Sequence, residues 1–155
     1  MVNDISTFLT PADVLIDIEA RCKRELLSKI SHHAASRFGL NETALTDALM
    51  EREQLGTTAI GHGVAIPHAK MKIDRLWGVF ARTAKPVDFD ALDDQPVDLL
   101  FLLLAPAEAS ADHLKALSRI ARAVRPEVTR NALRGAKDRE ALYALLTGEI
   151  DAAAA

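Results

Sequence analysis

The sequence predicts a layered α/β domain, and three observations carry that prediction. The run from Val97 to Ala105 is apolar at nearly every position (Val97, Leu99, Leu100, Phe101, Leu102, Leu103, Leu104), the pattern of a strand buried on both faces. Helical patterns stand before and after it, which calls for helices packed on a sheet. A chain of 155 residues with 49% hydrophobic content is one domain's worth and can bury a sizeable core.

Taken in order, Val14 to Ile18 reads as a short strand. From Glu19 the pattern turns helical, with Cys22, Leu26, Ile30 and Ala34 at four-residue spacing and Gly39 as the stop. A second helix is expected from about Glu42 to Glu53, with Leu45, Ala48 and Leu49 inward, Asn41 as its cap and Gly56 beyond its end. That placement sets Arg52 in the last turn, facing a glycine-rich loop. Val64-Ala65-Ile66 is a short strand-like run; Leu76 to Arg82, Val87 to Phe89 and Val97 to Ala105 read as three further strands. Helices follow from about Ser110 to Val124, from Pro126 to Leu133 with proline in the first turn, and from Arg139 to Leu146. The alanine tail 152–155 is expected to fray. Pattern alone does not order the strands.

Several function classes are excluded early. A net charge of −3 leaves no polycationic footprint for nucleic acid and no polybasic membrane patch. Cys22 is the only cysteine, so no internal disulfide forms, and a reducing compartment fits. Met1-Val-Asn-Asp-Ile-Ser lacks a basic region and an apolar core, so no secretory signal is expected. Leu99 to Ala105 is too short to span a bilayer. A cytoplasmic protein is the expectation. No Gly-x-x-x-x-Gly-Lys-(Ser/Thr) and no His-Glu-x-x-His occurs, so neither nucleotide, metal nor other cofactor is expected.

The densest stretch runs from Arg52 to Lys70. Gly56, Gly61 and Gly63 lie within eight residues, then Val64-Ala65-Ile66 delivers Pro67-His68. Proline fixes its own φ and so restricts how His68 is presented. We read His68 as a nucleophile that accepts a phosphoryl group. Such a histidine must be unprotonated near neutrality, feasible for an imidazole that titrates near ~6.5. Its opposite ring nitrogen should donate to a fixed acceptor, for which a main-chain carbonyl is suited. The arriving group carries charge on three oxygens and needs donors and cations. Thr58 and the backbone N–H groups around Gly61 to Gly63 are candidate donors, and Arg52 offers a planar fork. His113 falls in the first turn of the helix after the buried strand, where α/β sheets tend to place ligand crevices and where an imidazole is kept neutral. A supporting role fits it.

Blander readings stand beside these. A histidine is usually a surface or structural residue, Arg52 also suits a helix C-terminus, and Thr58 can bond its own backbone. The glycines can simply make turns. His32 and His33 sit on a helix and read as structural or exposed.

The pattern formed by Arg52, Glu53, Gly56, Thr57, Thr58, Ile60, Gly61, Gly63, Ala65, Ile66, Pro67 and His68 resembles a known signature. It is that of the phosphorylation site in fructose/mannitol-type IIA components of the bacterial phosphoenolpyruvate phosphotransferase system, above all the free-standing nitrogen-regulatory type. Gln95-Pro96-Val97-Asp98-Leu99-Leu100-Phe101, Pro106-Ala107 and His113-Leu114 extend the likeness over nearly the whole chain. Ala59 departs from the usual glycine, and His62 stands where nitrogen-type proteins often have asparagine. The resemblance implies a single three-layer α/β/α domain over residues 1–155, its mixed, about five-stranded sheet flanked by helices. It also implies a phosphoryl carried on Nε2 of His68, with His113 alongside. The implied donor is a phosphorylated histidine carrier protein. A regulator would then bind or release target proteins by phosphorylation state, whereas a sugar-type component would pass the group to a IIB domain. Two other classes compete: a metal hydrolase built on His62, His68 and His113, and an interaction module never phosphorylated.

Overall fold

In the computed structural model, which describes residues 3–108 and 110–154, the buried run becomes the centre of a mixed sheet. Met1 and Val2 from the segment read for a leader, and Ala155 from the alanine tail, lie outside the described residues. The strands are β1 (Val14–Ile18), β2 (Ala59–Gly61), β3 (Val64–Ala65), β4 (His68–Met71), β5 (Trp77–Val87) and β6 (Val97–Pro106), in the order β1-β5-β6-β3-β2 with β4 also on β6. β6 runs antiparallel to β5, pairing Phe101 with Phe80, and parallel to β3 and β4, pairing Leu99 with Val64 and Leu103 with His68. β3 and β4 therefore share one lane along β6, broken at Ile66-Pro67. Six strands fill five lanes. At the break the sheet stays connected, because the Pro67 carbonyl accepts from the Leu103 N–H at 3.0 Å.

Alternation along β6 explains the layering. Leu100, Leu102 and Leu104 pack with Leu26, Leu27, Ile30, Leu45 and Leu49 from α1 (Lys23–Phe38) and α2 (Glu42–Gln54). Leu99, Phe101 and Leu103 pack on the other face with Ile120, Val124, Leu133, Leu142 and Leu146 from α3 (Ser110–Val124), α4 (Glu127–Gly135) and α5 (Arg139–Thr147). Both faces of the sheet are thus covered, the three-layer arrangement expected.

Local differences have local causes. α1 starts at Lys23, not Glu19: Cys22 is its extended N-cap, and the Arg21 N–H and guanidinium bond the Glu25 carboxylate instead of continuing a helix backwards. The strand read at 76–82 continues as β5 to Val87, so no separate strand stands at 87–89, and Asp88 and Phe89 lie beyond the strand. Pairing with β6 shifts between Arg82 and Val87, and Pro86, with no N–H to give, sits in that interval. Pro126 is the N-cap of α4, not part of its first turn. Ala152–Ala154 forms a 3-10 turn, with Ala152 packed against the core. Expected and observed caps agree at Asn41, whose side chain accepts from the Ala44 N–H, and at Gly39, left-handed at φ 70°.

Candidate active site

His68 is the first residue of β4, half-buried and anchored opposite Leu103. Its Nδ1 lies 2.9 Å from the Ile66 carbonyl oxygen. A carbonyl can only accept, so Nδ1 carries the proton and Nε2 keeps its lone pair. The break at Pro67 makes this contact possible: a regular strand would send the Ile66 carbonyl into the ladder, away from its neighbour's ring.

His113 faces that ring from α3. The two imidazole centroids are 5.3 Å apart and inclined by 69°. His113 is only 8% exposed, and its Nε2 is sealed from solvent with no hydrogen-bond partner among the described residues. Burial first, then electrostatic coupling to His68 and Lys70, holds this imidazole below its ordinary 6.5, so it is neutral at pH 7. Arg52, in the last turn of α2, donates from Nη1 to the Gly56 carbonyl at 2.9 Å. With Leu55, Lys70, His68 and His113 it lines one open cleft of about 650 Å³. Three of the residues singled out in the sequence, His68, His113 and Arg52, are therefore together.

Thr58, Gly61 and Gly63, expected as phosphoryl-binding groups, are not in this cleft. Thr58 is buried, and its N–H and hydroxyl both donate to the Glu53 carboxylate, the N–H at 3.1 Å to Oε1. Gly61 and Gly63 frame the turn between β2 and β3, four or more residues up the lane from His68, roughly 13 Å or more away at strand rise. Their φ values of +94° and +80° answer the demand of that turn. A Cβ on Gly63 would also meet Arg134 Nη2 at 2.5 Å and Asp98 Oδ1 at 2.9 Å. His62 lies between the two glycines at φ +57°, a left-handed position that suits histidine as it suits asparagine. It is exposed and held by Asp93 and Arg134, so the three histidines of the metal-hydrolase reading do not converge. His32 pairs with Glu42 at 2.6 Å on the surface, and His33 bonds the buried Asp13 at 2.9 Å. Sequence reasoning passed over Lys70 and Leu55. Lys70 is two residues beyond His68 on a strand and so falls on its face, a relation visible only once β4 is recognised.

Fold and cleft together define a class: a small three-layer α/β domain that presents one aimed imidazole at an open surface. The chain belongs to the phosphoenolpyruvate-dependent sugar phosphotransferase system EIIA 2 family, whose model matches residues 7–148. It is 46% identical over 143 residues to a nitrogen regulatory protein of Bradyrhizobium diazoefficiens, covering 92% of this chain and 94% of the relative. A nitrogen regulatory protein of Klebsiella oxytoca is 41% identical over 132 residues, 84% of this chain and 82% of that one. The crystal structure of the nitrogen regulatory protein IIA-Ntr from Neisseria meningitidis superposes with a TM-score of 0.89 at 34% identity, over 94% of this chain and 100% of that one. The chain is thus a phosphotransferase system component of the kind that receives a phosphoryl group from an upstream carrier and passes it on. Among the described residues no helix is long and apolar enough to cross a membrane.

Proposed function

We propose that this chain, as one domain over residues 1–155, is a cytoplasmic phosphocarrier and regulator of a nitrogen-type phosphotransferase system, taking its phosphoryl on Nε2 of His68 from a phosphorylated histidine carrier protein. The observation that carries the reading is the Nδ1–Ile66 carbonyl bond, which leaves Nε2 free beside a neutral histidine and a guanidinium. The Nε2 lone pair attacks phosphorus in line as the donor's P–N bond breaks, and the proton stays on Nδ1, donated to the Ile66 carbonyl throughout. Most of the catalysis is positioning and charge stabilisation. Arg52 swings from the Gly56 carbonyl to the phosphoryl oxygens, and neutral His113 donates one N–H without rivalling His68 as a cation. Once loaded, His68 carries a phosphoryl whose negative charge the still-protonated ring only partly offsets, a net gain of negative charge at the cleft. That charge sits beside Leu55, which is 85% exposed, and so changes what can dock there. The names of the relatives above favour regulation over sugar delivery.

Incubating the chain with phosphoenolpyruvate, the general enzyme and either a nitrogen-type or a sugar-type carrier tests this by intact mass. One phosphoryl is expected on the wild type, fastest from the nitrogen-type carrier, and none on His68→Ala. Labelling that survives His68→Ala overturns the site; faster loading from the sugar-type carrier overturns the nitrogen assignment.

A further inference from the structure

Glu53 belongs to the glycine-rich signature yet has no place in the cleft. It is 7% exposed, an uncommon burial for a carboxylate, and nearly all its bonds go to one residue and one lysine. Lys23 Nζ, from the first turn of α1, lies 3.0 Å from Oε2 and 3.2 Å from Asp90 Oδ2. The two Glu53 oxygens accept the Thr58 N–H at 3.1 and 3.3 Å, and Oε1 also accepts the Thr58 hydroxyl. Thr58 is thereby fixed at the entry to β2. Its own carbonyl accepts the Ile66 N–H at 3.0 Å. Ile66, in turn, offers the carbonyl that holds His68 Nδ1 at 2.9 Å.

We propose that Glu53 is a positioning residue for phosphoryl transfer, acting through Thr58 and Ile66 to set the tautomer and aim of His68. Rate enters because this inference rests on His68 being the phosphoacceptor. The relay itself is a separate claim: an unbroken series of hydrogen bonds from a lysine-neutralised carboxylate to an imidazole proton. A buried ion pair kept only for stability would have no reason to end on that ring. The carboxylate accepts from Lys23 and from both Thr58 donors at once; Glu53→Gln surrenders one acceptor, and Thr58→Val removes one donor while keeping the shape.

The experiment compares wild type, Glu53→Gln, Thr58→Val and Thr58→Ser by long-range ¹H–¹⁵N spectra of the histidine rings and by single-turnover loading from a phosphorylated carrier. In the wild type His68 is expected as the Nδ1–H tautomer. Glu53→Gln and Thr58→Val should move part of that signal to the Nε2–H form and slow loading roughly 10- to 100-fold at saturating donor, with the donor concentration for half-maximal rate little changed. Thr58→Ser, which keeps the hydroxyl, should restore both readouts. Should Glu53→Gln fail to fold, Thr58→Val carries the test alone. A folded variant of either kind with wild-type tautomer and wild-type rate overturns the inference. If the wild type itself takes no phosphoryl, the functional reading fails, and the tautomer spectra still decide whether Glu53 sets the ring.

Discussion

In the mechanism proposed, one carbonyl, that of Ile66, decides which nitrogen of His68 is free to attack, and one buried histidine decides how welcome the arriving charge is. His113→Ala removes a donor to an anion, an interaction worth roughly 1.5–3 kcal/mol. Loading should therefore slow by about 10- to 150-fold, read by quenched-flow labelling, without being abolished. The same imidazole also shapes pH dependence. Its folded pKa lies below its unfolded one, so the unfolded chain binds the proton more readily and stability falls as pH drops below about 6.5. Urea unfolding at pH 7.5 and 5.5 should show a larger loss in the wild type than in His113→Gln; equal losses would clear His113 of that role. That His68, Arg52 and His113 share one cleft was legible in the sequence, because the motif and the strand-to-helix junction mark them. Thr58 and the glycines fall outside that cleft for a physical reason. A donor's target is fixed by what lies opposite it, and Glu53, Asp93 and Asp98 are brought there only by folding.

At the scale of elements, the buried Asp13 ties the turn before β1 to α1. Its carboxylate takes Arg37 Nε at 2.7 Å, His33 Nε2 at 2.9 Å and the Thr10 hydroxyl at 2.9 Å. Burial pushes this carboxyl's pKa up, but the bonds from Arg37, His33 and Thr10, with Arg37's charge, outweigh it and hold the group below 3.8. The sign follows: stability from Asp13 is full above the unfolded carboxylate range and is lost as pH falls through the folded value. Asp13→Asn should cost about 2 kcal/mol by urea denaturation at pH 7, with a smaller loss on acidification than in the wild type. Helices were the most legible elements, since Asn41 and Gly39 announce their ends. Short strands were the least. His68-Ala69-Lys70-Met71 has no apolar alternation, and β4 exists because Leu103 to Pro106 offers it a parallel edge.

For the whole molecule, β6 feeds both cores, as β3 and β5 also do, and its apolar run made the three layers readable before any strand could be ordered. The order itself depends on pairings between residues far apart in the chain, which no local pattern records. Leu102→Ala should destabilise by about 2–5 kcal/mol, because Leu102 is fully buried where α1 and α2 meet the sheet. Gly78→Ala tests the opposite error, excess volume. A Cβ there would stand 2.9 Å from the Phe101 ring and 3.2 Å from the Phe8 carbonyl, and about 1–3 kcal/mol of overpacking should appear as a lowered Tm.

The most direct test of the central claim is a ¹H–¹⁵N–³¹P spectrum of the chain after loading by its phosphorylated carrier. The account predicts phosphorus coupled to Nε2 of His68, with Nδ1 still protonated. Phosphorus on Nδ1, or on any other histidine, would contradict it.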